Sequence, residues 1–399
     1  MKRQIINNII VLFGCIITAH AQNSKLNTVF SDAEKQTTVM LQEIPKAQRT
    51  NPDWVSPRTL DKGELKMVAS KDWTSGFFPG QLWFLYEYTG KQEWKQQAEI
   101  FTANIEKEKT NAGSHDMGFK VYCSFGTGYR LTKDTHYRDI IIYSAKTLST
   151  RFNPVIGCIR SWDHHKEQWG FPVIIDNMMN LELLFAATKL SGDSSFYKIA
   201  VSHANTTMKN HYRADYSSYH VVDYDTATGK VVKKQTHQGY ADESAWSRGQ
   251  TWGLYGYTMC YRFTKDKKYL EQAEKIAAFI LNHPNMPKDL VPYWDFNAPN
   301  IPNEERDASA AAVLASGLYE LSTYSKNGNL YKEKAGKIVE SLTSHYRSPV
   351  GENKGFILLH STGSKPAGSE VDVPLNYADY YYLEALLRGK KLTEKKKLF

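Results

Sequence analysis

The sequence has 399 residues, of which 41% are hydrophobic and 23% charged, with a formal net charge of +8. These proportions are ordinary for a globular protein with a large core and exclude a disordered or fibrous chain. The basic excess suits an anionic ligand, but no recognisable nucleic-acid-binding motif accompanies it, so a nucleic-acid partner is not expected.

The beginning of the chain predicts a signal peptide. Two basic residues precede the apolar stretch 9–17, and the small-residue segment 19–21 offers a cleavage site. We therefore expect residues 1–21 to be removed and residues 22–399 to form one exported, periplasmic domain. The apolar stretch is too short for a transmembrane helix, and no later one suffices, so no membrane span is expected. Lipid attachment at Cys15, within a loose lipobox, is the weaker alternative.

Three cysteines remain in the mature chain: Cys123, Cys158 and Cys260. Their number and spacing fit neither a disulfide framework nor a zinc site, so we interpret them as buried thiols. The pair His164-His165 with Asp163 resembles a metal-binding group, but adjacent histidines in a polar loop are more often solvated. Neither a metal nor a cofactor is therefore expected.

A short pattern then recurs five times along the chain: an apolar helical run, a polar turn, and an aromatic residue that begins another helix. The aromatic residues are Trp94, Tyr137, Tyr197, Tyr269 and Tyr331. Each copy predicts the tight corner of a helical hairpin. After three of these residues an alanine follows four positions on, which places it on the same helix face and permits close helix packing.

Five hairpins, with a sixth pair formed by residues 31–45 and 377–388, predict an all-α (α/α)6 barrel. An open helical solenoid is the alternative, but its repeats are usually shorter and more regular. Strand signals are sparse, and they predict one small β-hairpin inserted in a loop near residues 221–233.

In such a barrel the connections at one end form the cleft, so catalytic residues are expected in long, polar, glycine- or tryptophan-rich segments. Four segments meet this description: residues 71–80, 115–119, 175–180 and 246–252. Two of them contain an isolated aspartate, Asp116 or Asp176. Two carboxyl groups facing one cleft would raise the pKa of one of them, which keeps an acid protonated near neutral pH.

Each of these residues also has a structural interpretation. Asp176 precedes a helix that is apolar nearly all round, and from sequence alone an N-cap is the favoured role for it. Asp116 fits a turn before Gly118, and His115 could bond a loop carbonyl. Arg248 lies in a segment with two tryptophans, where it could bind a carboxylate with its planar guanidinium or form a cation–π pair that stabilises the loop.

Taken together, the segments resemble the unsaturated glucuronyl hydrolases, glycoside hydrolase family 88. The likeness extends from about Trp73 to Arg388 and rests on the order of several short motifs, each weak alone. These are Trp73-Thr74-Ser75-Gly76-Phe77, His115-Asp116-x-Gly118-Phe119, Ile175-Asp176-x-Met178-Met179-Asn180, Trp246-x-Arg248-Gly249-Gln250-x-Trp252-Gly253, Pro292-Tyr293-Trp294-Asp295-Phe296 and Arg306-Asp307-x-Ser309-Ala310-Ala311. The family has an (α/α)6 barrel, in agreement with the hairpin count.

The resemblance implies that Asp176 is the catalytic acid and base and that Asp116 is the second catalytic aspartate. It further implies a sugar subsite shaped by Trp73, His115, His220, Gln238, Trp246, Arg248 and Trp252. The segment that includes Ser364 and Lys365 resembles a region that contacts substrate sulfate in some members, although its spacing differs. Two further departures from the family pattern, Ala308 and Ala378, do not touch the proposed acid.

The reaction implied is removal of a 4,5-unsaturated uronic acid from oligosaccharides produced by polysaccharide lyases, through hydration of the C4=C5 double bond. A basic chain favours a sulfated glycosaminoglycan fragment as substrate. We expect the protein to be a monomer. Two alternatives stay open: an unsaturated rhamnogalacturonyl hydrolase acting on pectin fragments, and a non-catalytic binder of anionic oligosaccharides.

Overall fold

The computed structural model describes the side chains of residues 24–399, and its first helix, α1, is assigned over Lys2–Gln48. The predicted signal peptide, residues 1–21, and the alternative lipid site Cys15 lie outside the residues whose side chains are described. Among the described residues, no helix combines the length and apolar character needed to cross a membrane.

Eleven further α-helices follow in chain order: α2 (Phe77–Thr89), α3 (Gln92–Ala103), α4 (Thr127–Thr132), α5 (Thr135–Ser149), α6 (Asn177–Ser191), α7 (Ser194–Asn210), α8 (Ser247–Thr264), α9 (Lys267–Asn282), α10 (Ala308–Leu321), α11 (Gly328–His345) and α12 (Asn376–Thr393). A π-helix, Gly118–Gly126, runs directly into α4. Short 3₁₀ helices cover Glu106–Thr110 and Asn353–Gly355. The strands are β1 (Trp54–Asp61), β2 (Glu64–Ala69), β3 (Phe152–Asn153), β4 (Cys158–Ile159), β5 (Pro172–Ile174), β6 (Val221–Tyr224) and β7 (Val231–Gln235).

The helices of the described chain form two concentric layers. The inner layer consists of α2, the π-helix with α4, α6, α8, α10 and α12, and each of these contacts the next, with α12 returning to α2. The outer layer contains α3, α5, α7, α9 and α11, while α1 packs on α2 through the Gln81–Thr37 hydrogen bond of 3.0 Å. This closed ring confirms the predicted (α/α)6 barrel.

Most of the predicted hairpin corners are correct in residue detail. Asp134, Asp193 and Asp266 cap the outer helices that follow them, because each side chain accepts a backbone N–H from the first turn. The predicted aromatic Tyr197 lies in the first turn of α7, but it is not buried. Tyr197 is 36% exposed, whereas the preceding Phe196 is 2% exposed and fills that place in the core. The sequence pattern could not separate two adjacent aromatic residues.

The predicted β-hairpin near residues 221–233 is present as the antiparallel pair β6–β7, and β5 extends it to three strands. A second hairpin, β1–β2, was not predicted from the sequence. Pro57 lies inside β1, and an internal proline argues against a strand assignment. The three cysteines Cys123, Cys158 and Cys260 are free and buried, as predicted.

Candidate active site

Every inner helix begins at the same end of the barrel. Trp73, which precedes α2, has its ring centroid 5.4 Å from that of Phe119 in the π-helix and 4.9 Å from that of Tyr377 in α12. Trp252, in α8, lies 5.3 Å from Phe119. Since helix N-termini carry positive partial charge, this convergence favours an anionic ligand at this end.

Asp176 lies at this end, at the N-cap position of α6, but its side chain makes no capping hydrogen bond. Its φ and ψ of −56° and −27° are already helical. The N-cap role that the sequence favours for Asp176 is therefore wrong. The contrast with Asp307 is direct, because the Asp307 side chain at the start of α10 accepts the backbone N–H groups of Ser309 and Ala310.

The Asp176 carboxyl group is nearly enclosed, with 8% of the residue exposed. Burial raises its pKa from 3.8 to about 7, the positive charge of Arg248 opposes that rise, and the negative charge of Asp116 adds to it. Its Oδ2 atom is buried and has no hydrogen-bond partner among the described residues. The site therefore holds a carboxyl group that keeps its proton close to neutral pH.

His220 lies beside this carboxyl group as a neutral imidazole. Its Nδ1 accepts the backbone N–H groups of His237 at 3.1 Å and Gln238 at 3.2 Å. An Nδ1 that accepts must leave the ring proton on Nε2, and Nε2 lies 3.7 Å from Asp176 Oδ2. Burial, reinforced by nearby positive charge, holds the pKa of His220 well below its ordinary value.

Asp116 belongs to the segment that enters the π-helix. Ser114 Oγ donates to Asp116 Oδ2 at 2.7 Å, and His115 Nε2 lies 3.2 Å from Asp116 Oδ1. The side chain of Asp116 is 17% exposed and that of His115 is 2% exposed. The Asp116 segment is bonded to α6, because the Phe119 N–H donates to Asn180 Oδ1 at 3.0 Å, and the negative charge of Asp116 helps to raise the pKa of Asp176.

Tryptophan and histidine rings line the site, as expected. Trp246 lies 4.5 Å from His220 between ring centroids, and the Arg248 guanidinium lies 4.5 Å from the Trp246 ring. Trp252 is fully buried, and its indole N–H makes no hydrogen bond of normal distance and angle among the described residues. It nevertheless faces the Asp176 carboxyl group and opposes the rise of that pKa. Of the predicted sugar-contacting rings, Trp73 is the one that is partly exposed.

The Arg248 guanidinium is engaged within the protein, and direct binding of a substrate carboxylate by Arg248 stays a prediction. Its Nη1 donates to Asp307 Oδ2 at 2.7 Å and to the Thr362 carbonyl at 2.6 Å, and its Nη2 donates to the Gly363 carbonyl at 2.7 Å. Only 1% of the residue is exposed. Arg248 therefore holds the segment around residues 362–363 and supplies positive charge beside Asp176.

The predicted sulfate-contacting residues are also engaged within the protein. Lys365 Nζ binds the carboxylates of Glu304, at 2.6 Å, and of Glu305. The backbone of Ser364 pairs with Ser369 across a tight turn. Lys365 therefore has no uncompensated charge to offer a sulfate. Gln238, expected in the sugar subsite, donates to the Gly363 carbonyl at 3.0 Å and so supports the same segment as Arg248.

Trp162 and His164 also belong to the site, although the sequence analysis gave Trp162 no role and interpreted His164 as a solvated residue of a polar loop. Trp162 pairs with Ser114 in an isolated bridge, which places it next to the Asp116 segment. His164 stacks on Trp162 with ring centroids 5.1 Å apart, and Asp116 acts electrostatically on it. The one sequence signal was a tryptophan close to a histidine in a polar loop.

A cavity of about 310 Å³ is lined by residues of the inner helices, and neither catalytic candidate lines it. Its lining includes Phe119, Arg262, Glu384 and Phe399. The side chain of Asp176 is 12% exposed. Among the described residues no cluster of three or more histidine, cysteine, aspartate or glutamate side chains is arranged to hold a metal ion.

Comparison with known proteins places this architecture in a family. The model of Glycosyl Hydrolase Family 88 matches residues 46–388. An unsaturated glucuronyl hydrolase of Formosa agariphila is 54% identical over 327 residues, which are 82% of each chain. An unsaturated chondroitin disaccharide hydrolase of Streptococcus pneumoniae is 33% identical and covers 85% of this chain and 87% of that protein.

Solved structures agree with these relatives. The crystal structure of an unsaturated glucuronyl hydrolase specific for heparin is 48% identical, with a TM-score of 0.86, and the match covers 91% of this chain and 98% of that one. The unsaturated glucuronyl hydrolase of Bacillus sp. GL1 is 30% identical, with a TM-score of 0.83, and covers 91% and 96%.

An (α/α)6 barrel with two carboxylates and a tryptophan-lined cleft at one end defines a glycoside hydrolase. The chain belongs to glycosyl hydrolase family 88. Its enzyme class is that of the unsaturated glucuronyl hydrolases, as the sequence resemblance implied.

Proposed function

We propose that Asp176 supplies the proton with which this enzyme removes a 4,5-unsaturated uronic acid from the end of a glycosaminoglycan oligosaccharide. The observation that carries this assignment is a nearly buried carboxyl group that caps no helix and has a pKa raised to about 7. A carboxyl group with these properties is protonated at the pH where most enzymes work, yet ionises readily once it has donated.

The chemistry needs few groups. The C4=C5 bond of the substrate belongs to an enol ether, so a proton added at C4 leaves a cation at C5 that the ring oxygen stabilises. The Asp176 carboxylate then takes a proton from water as the water oxygen bonds to C5. The resulting hemiketal opens, the bond to the next sugar breaks, and one water molecule has been consumed overall. Asp116, as a nearby carboxylate, stabilises the cation.

His220 presents a neutral N–H to one oxygen of Asp176. His220 Nε2 lies 3.7 Å from Oδ2, beyond hydrogen-bond distance, so the N–H dipole rather than a hydrogen bond acts on that oxygen. After the transfer the same N–H stabilises the carboxylate. His220 itself does not exchange a proton, since its Nδ1 is already held by two backbone donors.

The substrate we propose first is an unsaturated disaccharide derived from heparin. A solved relative that is 48% identical to this chain is described as specific for heparin, whereas the chondroitin disaccharide relative of S. pneumoniae is 33% identical. Because Glu304 and Glu305 neutralise Lys365, we propose that a sulfate at that position is not required.

The test follows the loss of ultraviolet absorbance of the conjugated acid with unsaturated disaccharides from heparin, chondroitin, hyaluronan and pectin. The heparin disaccharide should give the highest kcat/KM, and Asp176→Asn should abolish turnover while the protein stays folded. Near-normal activity of that variant would remove Asp176 from the mechanism. Preference for the pectin fragment would favour the rhamnogalacturonyl alternative, and binding without consumption would favour the non-catalytic one.

We further propose that the protein is exported to the periplasm after removal of residues 1–21 and that it acts there as a monomer. The support for export is the pattern of the first residues, in which basic residues precede an apolar stretch. Mass spectrometry of the mature protein should find Gln22 at its N-terminus. A lipid on Cys15 would instead favour an anchored lipoprotein, and size-exclusion chromatography with light scattering tests the monomer.

A further inference from the structure

The first turn of α6 holds two buried asparagines, Asn177 and Asn180, besides the catalytic candidate. Asn180 lies four positions after Asp176, on the same side of the helix, and is fully buried. Its Oδ1 accepts the backbone N–H of Phe119 at 3.0 Å. The segment that carries Asp116 is thus bonded directly to the helix that carries Asp176.

The contact is close as well as hydrogen-bonded. A Cβ atom placed on Gly118 would lie 2.6 Å from Asn180 Cα and 2.8 Å from Asn180 Oδ1, so only glycine allows the two backbones to approach this far. Asp116 stands two residues before Gly118, and its carbonyl accepts the Lys120 N–H at 3.0 Å. The segment therefore enters the π-helix as a rigid turn, and any shift at Gly118 is transmitted to Asp116.

We propose that Asn180 is a positioning residue that sets the separation between the carboxylates of Asp116 and Asp176. The inference rests on the proposed function, in which Asp176 must stay protonated. The charged or titratable groups that face Asp176 come from three elements: Asp116 from the segment before the π-helix, Arg248 from α8, and His220 from the segment before β6. Of these, Asp116 is on the segment that Asn180 holds.

The test is the pH dependence of kcat/KM for Asn180→Ala. Without the acceptor for the Phe119 N–H, the Asp116 segment moves away, and its negative charge no longer helps to keep the proton on Asp176. The basic limb of the profile should therefore shift to lower pH. Misplacement of the second carboxylate should also reduce kcat on the order of ten- to a hundredfold with little change in KM.

Two further variants separate positioning from plain structural support. Gly118→Ala adds a Cβ atom that collides with Asn180 and displaces the Asp116 segment. It should therefore also shift the basic limb of the profile to lower pH. Asn376→Ala is the matched control, because Asn376 is also a buried asparagine in the first turn of an inner helix, bonded to the Pro57 carbonyl at 2.7 Å and the Thr74 carbonyl at 3.0 Å. This control should lower the melting temperature and leave the limb in place.

An unmoved limb in Asn180→Ala, accompanied only by a lower melting temperature, would overturn the proposal. A shift of the basic limb to higher pH would also overturn the proposal, because that direction means that the Asn180 amide stabilises the Asp176 carboxylate itself. Should Asn180→Ala fail to fold, Gly118→Ala decides by the same two criteria. Full activity of Asp176→Asn would instead refute the proposed function, so the two failures are distinguishable.

Discussion

Replacing the proposed catalytic acid should make the folded protein more stable at neutral pH while it abolishes turnover. The pKa of Asp176 rises from 3.8 to about 7 on folding, so the folded state resists ionisation that the unfolded chain undergoes freely. A difference of roughly three pKa units corresponds to about 4 kcal/mol of unfolding free energy. Asp176→Asn removes this cost, because the amide never ionises.

The sign of the effect determines its pH window. A carboxyl group whose pKa is raised on folding costs nothing below pH 3.8, where both states hold the proton. Stability is lost as the pH rises from there to about 7, and the loss is complete above that value. The unfolding free energies of wild type and Asp176→Asn should therefore coincide near pH 4 and differ by about 4 kcal/mol at pH 8.

Urea unfolding at several pH values measures this difference, with Asp307→Asn as the matched control. Asp307 is also a buried aspartate at the start of an inner helix, but it caps that helix and binds Arg248, so its replacement should destabilise the protein. The reasoning is refuted if Asp176→Asn is no more stable than wild type at pH 8, or if its advantage is the same at pH 4.

Three further results are expected. Asp116→Asn should shift the basic limb of the kcat/KM profile to lower pH, because the like charge that helps to raise the pKa of Asp176 is gone; a limb that stays in place contradicts the pairing. Arg248→Met should reduce the unfolding free energy by about 3–5 kcal/mol in denaturant titrations, since Asp307 is left buried without its cation. Nitrogen-15 NMR should find His220 neutral, with the proton on Nε2, from pH 5 to 8; protonation of Nδ1 in that range would contradict the assigned tautomer.

The sequence determined the architecture of this protein because hairpin corners are local. An apolar run, a capping aspartate and a buried aromatic lie within a few residues of one another, so each corner can be recognised without knowing its neighbours. The inserted β6–β7 hairpin was recognisable for the same reason. The resemblance to the family also gave Asp116 and Asp176, because motifs preserve the order of residues along the chain.

The tertiary structure alone decided what individual side chains do. Whether Asp176 keeps its proton depends on the burial and charges around it, and Asp116 and Arg248 reach it from other parts of the chain. The guanidinium of Arg248 forms hydrogen bonds with Asp307 and with two carbonyls that lie more than a hundred residues away along the chain. Lys365 likewise forms an ion pair with Glu304. Such pairings cannot be deduced from local sequence, because they depend on which loops the closed ring of helices brings together.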